Sequence, residues 1–441
     1  MDDWIRHAIW WQVYPLGAVG AEREALPPGS PAVPRLKQLE DWVPHLVGLG
    51  CNGLALGPVF ESSTHGYDTV DHLSVDRRLG TEQDLQDLID ACHSQGVRVL
   101  LDGVFNHVGR DFPRFREVLE QGASSPAASW FHVDAASPGP DGFAYRDFEG
   151  HSALVALDHG NPEVADHVAR VMTHWCDRGV DAWRLDAAYA VPPEFWRDVL
   201  PRVRERHPSV WIVGEVLHGD YAGYVAGSGI DSVTQYELWK AVWSALNDRN
   251  LFELAHALGR HAEMVPAFLP QTFVGNHDVT RVASRVDDPR HLPHALALLF
   301  ALPGVPTVYY GDEFGLRGIK EDRAGGDDAV RPALPGETDP PDADAGAIAD
   351  LHRLLIGVRR RHPWLVDATV EQPDVLTNDV LAVRLTSGEG AVGVVLNVGD
   401  APAEVRLPLS GAAVLAGTAE LLGDGAVRVP PHGFALVGSG E

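Results

Sequence analysis

The 441-residue sequence predicts an α/β fold: a (β/α)8 TIM barrel with a small subdomain inserted after strand 3 and a C-terminal antiparallel β domain. Three observations predict it. From residue 9 to about residue 362, short β-rich apolar runs alternate with helical stretches, the pattern of parallel βα units. The runs number eight, which suits a closed barrel better than an open doubly wound sheet. After Pro363 the helical period gives way to short alternating runs.

The expected barrel strands are Ile9 to Tyr14, Cys51 to Val59, Val97 to Phe105, Val180 to Ala187, Trp211 to Val216, Asp231 to Tyr236, Gln271 to Asn276 and Val305 to Tyr310. Between them lie helical patterns, RLKQLEDWVPHLVGL, EQDLQDLIDACHSQG, NPEVADHVARVMTHWCDRG, PEFWRDVLPRVRERHP and HALALLFALPG, most of them stopped by Gly or Pro. About fifty residues, Gly109 to Leu157, separate the third strand from the helix at Asn161. Their aromatic, Pro- and Gly-punctuated content predicts an insert that walls one side of the barrel mouth. A second long loop, Gly315 to about Gly346, is expected to cover the opposite rim. The expected organisation is therefore a barrel over 1–108 and 158–362, an insert over 109–157 and a β sandwich over 363–441.

Composition excludes several function classes. Lys+Arg total 35 against Asp+Glu 62, and a net charge of −27 repels nucleic acid and anionic membranes, so no nucleic-acid or membrane partner is expected. No apolar run approaches the length of a spanning helix, and the N-terminus does not read as a secretory signal, so a cytoplasmic location is expected. Cys51, Cys92 and Cys176 are an odd, widely spaced set, which predicts inert buried thiols and neither a disulfide framework nor a zinc site.

In such a barrel the active site lies at the C-terminal ends of the strands. The third strand ends in Asp102, Asn106 and His107, the fourth in Arg184 and Asp186, the fifth in Glu215, and the seventh in Asn276, His277 and Asp278. Residues two apart on a strand share a face, so Arg184 stands beside Asp186 and favours its ionised form. An ionised Asp and a Glu across a pocket are the pair needed for retaining glycoside cleavage. His107 and His277 can donate to sugar hydroxyls, and Tyr67 can stack on a pyranose ring. Asp102 is expected to support its loop, while Asn106 and Asn276 fit turns as well as ligation. Among the aromatic residues, Trp10, Trp11, Tyr14, Trp175, Trp196 and Trp239 are expected in packing. Trp130, Phe131, Phe143, Tyr145 and Phe148 of the insert are the better sugar platforms.

The motifs DGVFNH, VDAWRLDA, GEV and FVGNHD, in this order, resemble the four signature regions of the α-amylase family (glycoside hydrolase family 13), and HGYDTVD and VPTVYYGDE match as well. The resemblance covers the whole chain. It implies Asp186 as nucleophile, Glu215 as general acid/base and Asp278 as the carboxylate that stabilises the transition state, with Tyr67, His107, Arg184 and His277 lining the subsite of the attacked glucose. Residue types alone do not separate Asp186 from Asp278. The insert and LDAAYAVPPEFWRDVL resemble the neopullulanase and cyclomaltodextrinase branch, without that branch's extra N-terminal β domain. The implied activity is hydrolysis of α-1,4 bonds in short maltooligosaccharides or related α-glucans. The alternative is a glucan or glucosyl transferase or isomerase using the same intermediate. No cofactor is expected. Tyr189 and Ala190 replace the Lys-His pair of classical α-amylases and YPLGAVGAE lacks alternating oxygen ligands, so calcium is possible but not expected.

Overall fold

The computed structural model describes residues 3–137, 139–323, 325–335, 343–409, 411–423 and 425–439. The eight expected runs all form parallel strands: β1 (Trp10–Val13), β2 (Gly53–Leu56), β3 (Arg98–Gly103), β4 (Ala182–Leu185), β5 (Trp211–Gly214), β6 (Ser232–Val233), β7 (Gln271–Phe273) and β8 (Val305–Tyr309). Each is shorter than the apolar run that announces it, because the run includes the turn residues that leave the sheet. The order is β6-β5-β4-β3-β2-β1-β8-β7. A bridge between Thr234 and Gln271 and the 2.9 Å bond from Gln235 N to Gln271 O close the circle.

Local chemistry fixes the helices around it. Glu82–Ser94 starts at a capping box in which Thr81 and Asp84 satisfy each other's backbone N–H groups. Pro162–Cys176 starts at Asn161, whose side chain accepts from Glu163 N, with Pro162 in the first turn. Where one helix is expected over residues 35–49, the structure has two, Leu36–Glu40 and Val43–Leu49. Pro44 lacks the N–H that a continuous helix would use there.

The chain between β3 and Pro162 forms an antiparallel sheet of His107–Gly109, His151–Ala156 and Asp147–Phe148, with helix Pro113–Gln121 and a hairpin of Val133–Asp134 with Ala144–Tyr145. Residues 336–342 of the second long loop lie outside the described residues. After helix Ala343–Arg361 come two packed antiparallel sheets. In the larger sheet Leu381, Val383 and Leu385 join the barrel's core, whereas Ala382 joins Val405, Leu407, Val427 and Val429 between the sheets. The two-residue alternation of a strand thus serves two cores.

Candidate active site

All seven side chains singled out above, Tyr67, His107, Arg184, Asp186, Glu215, His277 and Asp278, are brought to the C-terminal mouth of the barrel. Arg184 is the centre of the cluster. It ends β4 facing inward, so its Nη1 donates to both oxygens of Asp102 at 2.7 Å and to Asp186 Oδ1 at 3.1 Å, while Nη2 pairs with Glu215 Oε1 at 2.9 Å. One buried guanidinium therefore spaces three carboxylates from three strands. Asp102 holds Arg184 through Nη1 alone, which is more specific than the loop support expected of it.

Burial pushes the Asp186 carboxyl well above the usual carboxylate range; Arg184 opposes this, and Glu215, Asp102 and Asp278 add to it. The neighbouring cation was expected to dominate, but removal from water outweighs it. Asp278 differs. Burial alone would raise it too, but His277, Arg331 and Arg184 hold it well below the usual range. His277 Nε2 lies 2.9 Å from Asp278 Oδ2, and Arg331 Nη2 donates to Oδ1 at 2.8 Å.

The backbone after Asp186 is bent for a purpose. Ala187 has φ 45° and ψ 37°, a left-handed conformation uncommon outside glycine, and it points its N–H at Glu215 Oε2, 2.9 Å away. Glu215 Oε1 also accepts from the Tyr236 hydroxyl at 3.2 Å, and Asn276 Nδ2 donates to that hydroxyl at 2.9 Å. Asn276 Oδ1 in turn accepts from Asp278 N at 2.8 Å, which makes this residue an orienting group. Gly275 precedes it because a Cβ there would meet Asp312 Oδ2 at 2.3 Å.

Tyr67 lies parallel to His277, ring centroids 5.5 Å apart, and bonds through its hydroxyl to His277 Nε2 and to Asp102 Oδ2. His107 accepts from Asn106 Nδ2 through Nδ1 at 3.0 Å, and burial lowers the ring to about 3, so it is a neutral ring at physiological pH. Among the described residues its buried Nε2 meets no partner in hydrogen-bond geometry, and the ring stacks on Phe148 at 4.8 Å.

These groups line a cavity of about 700 Å³ that also receives Tyr189, Trp239, Lys320, Asp327 and Arg331. Of the aromatic residues of the insert, Phe148 reaches it; Phe131 and Tyr145 pack instead on Phe115, and Trp130 donates to Glu163. Trp239, expected in packing, lines the cavity because its helix, Tyr236–Asn247, begins at the mouth. Gln12, Tyr236 and Arg331 were missed altogether. Gln12 carried a signal, a polar residue inside an apolar strand, and its Nε2 stands 3.4 Å from His277 Nδ1. Arg331 was hidden in a loop without periodicity.

This fold, with Asp102 on β3 and Asp186 and Glu215 just beyond β4 and β5 gathered on one arginine and Asp278 beyond β7 facing them, defines a barrel glycoside hydrolase. The α-amylase catalytic-domain family model matches residues 35–342, and the chain belongs to that family. It is similar to neopullulanase 2 of Thermoactinomyces vulgaris, 31% identical over 420 residues, 90% of this chain and 70% of that protein. It is similar to a maltogenic α-amylase of Bacillus acidopullulyticus, 28% identical over 92% of this chain and 72% of that one. Among solved structures, the cyclic α-maltosyl-(1→6)-maltose hydrolase of Arthrobacter globiformis superposes with a TM-score of 0.84, 28% identity, and coverage of 99% of this chain and 100% of that chain. Among the described residues, no helix is long and apolar enough to cross a membrane.

Proposed function

We propose that the chain is a retaining hydrolase of α-1,4 bonds in short maltooligosaccharides and related compact α-glucans. The observation that carries this reading is the placing of Asp186 and Glu215 on the two arms of the Arg184 guanidinium, with Asp278 held apart on Arg331. In the first step Glu215 gives its proton to the glycosidic oxygen while an Asp186 oxygen bonds to the anomeric carbon, releasing the aglycone as an alcohol. In the second, Glu215 takes a proton from water, whose oxygen displaces Asp186. Both steps pass through an oxocarbenium-like state, and the ionised Asp278 stabilises its positive charge. Tyr67, His107, Arg184 and His277 hold the attacked glucose.

Asp186→Asn and Glu215→Gln are expected to cut turnover by orders of magnitude while leaving the melting temperature near that of the parent. Proton NMR of the first turnover should show retained anomeric configuration; an inverted product would end this mechanism. Transfer to a sugar acceptor is the second reading, favoured by one named relative, a 4-α-glucanotransferase of Thermotoga neapolitana, 31% identical over 64% of this chain. Product analysis on maltotriose separates the two, since a transferase builds longer oligosaccharides with no net gain of reducing ends, whereas a hydrolase adds one reducing end for every bond it cuts. A cytoplasmic site of action is part of the proposal, supported by a relative named intracellular maltogenic amylase from Bacillus subtilis. We also propose that calcium is dispensable, because Asn106 is engaged with His107 and Asp134 is capped by Ser137 and Ala136. A chelator-induced fall in melting temperature that calcium alone reverses would refute it.

A further inference from the structure

A second cluster of ligating side chains lies outside the lining of the mouth cavity, where the barrel meets the C-terminal sandwich. His291 ends the short turn Pro289–His291 ahead of helix Leu292–Ala301, and it is 3% exposed. His432 sits in the turn between two sandwich strands in a left-handed conformation, φ 52°, uncommon for a residue with a side chain. That conformation brings the two rings into a stack with centroids 5.2 Å apart, and His291 Nε2 lies 2.9 Å from His432 Nδ1. Asp288 Oδ2 is 4.0 Å from the same Nδ1. The ligand atoms of the three residues all fall within 4.8 Å of one another.

We propose that Asp288, His291 and His432 form a binding site for a divalent transition ion, zinc above all, that ties the barrel to the sandwich. Two imidazole nitrogens and a carboxylate oxygen are a zinc-type donor set, with water free to fill a fourth position. Bonds of about 2.0–2.1 Å at a tetrahedral angle put ligand atoms roughly 3.3 Å apart. The 2.9 Å pair must open by a few tenths of an ångström and the 4.0 Å pair must close by somewhat more, both within the reach of side-chain rotation. His432 also has the outer partner that a metal-ligating histidine uses. His432 Nε2 is 2.8 Å from Asp400 Oδ1, an arrangement that keeps its proton on Nε2 and turns the lone pair of Nδ1 towards His291. Asp400 is itself held by Arg249 at 3.1 Å. Arg290 holds Asp288 through four bonds, from its backbone N and Nε to Oδ1 at 3.0 Å each and from Nε and Nη2 to Oδ2 at 3.1 and 2.6 Å, so an ion at Oδ2 takes the place of part of that grip.

The test is calorimetric titration of the whole chain, stripped with a chelator, with zinc chloride. One ion per chain is expected, together with a melting temperature that rises with zinc concentration. His291→Gln and His432→Gln should each abolish the uptake. Asp400→Asn, whose side chain is 75% exposed and so is safe to change, should weaken it by about 10- to 100-fold without altering the fold. Cobalt should give the strong visible absorption of a tetrahedral site. Failure to bind zinc, or binding that persists unchanged in both histidine variants and in Asp400→Asn, overturns the proposal. The latter would place the ion elsewhere, such as the carboxylate cluster of the barrel mouth.

Discussion

Two aspartates at the barrel mouth carry opposite perturbations, and the difference follows from whether the arginine each one touches is shared with other buried carboxylates. Asp186 meets Arg184, which it shares with Asp102 and Glu215, whereas Asp278 meets Arg331 and His277 directly. As the proposed nucleophile Asp186 must be ionised, and burial raises it, so kcat/KM should fall on acidification at a pH well above the ordinary aspartate value of about 4. A pH–rate profile with its acidic limb below that value would contradict this. The sequence made the carboxylates legible because each closes a strand run, so its place at the mouth follows from strand order alone. It could not show their protonation, which depends on a desolvation that only the assembled pocket creates. Nor could it show Ala187: nothing about an alanine announces that its backbone is bent to aim an N–H at Glu215.

At the level of elements, the mouth is framed by pieces from distant stretches of chain. The insert is fastened to the barrel where Tyr189 donates to Glu149 at 2.7 Å, and the loop after β8 contributes Lys320, Asp327 and Arg331 to the other rim. A mouth closed on two sides offers few subsites. Catalytic efficiency along the linear series from two to seven glucose units should therefore level off after about three units, and a steady rise to the longest would mean an open groove. Tyr189→Phe, which frees the insert edge, should raise KM several-fold with little change in kcat. The alternation of β-rich and helical runs revealed the barrel, because parallel strands buried on both faces read as continuous apolar segments. The break at residues 41–42 was legible in Pro44 but was read through, whereas the pocket position of Trp239 was not legible, since it depends on where its helix begins relative to the mouth.

For the whole molecule, several histidines are buried where water cannot reach them. Burial lowers His72, His261 and His294 each to about 4. Their unfolded counterparts take up a proton near pH 6.5, so between about 6.5 and 4 the unfolded chain binds more protons and stability falls as pH falls. Moving from pH 7 to pH 5 should cost about 2 kcal/mol for each such ring. Denaturant titrations at the two pH values measure it, and His261→Gln, remote from the mouth, should reduce the difference. A pH-independent midpoint would show that these rings titrate normally.

The closed circle of strands also has a consequence in time. β1 hydrogen-bonds to β8 through Trp10 and Thr307, partners separated by almost three hundred residues. During synthesis at 5–20 residues per second, Trp10 waits roughly 15–60 s for its neighbour to be made. Until then the nascent barrel is an open curved sheet with two bare edges, the form most exposed to wrong pairing. Neither edge is covered before β8 emerges, and Asp278 meets Arg331 only later still. The newborn chain is therefore inert towards sugar until its barrel shuts, and its demand on chaperones falls in that interval.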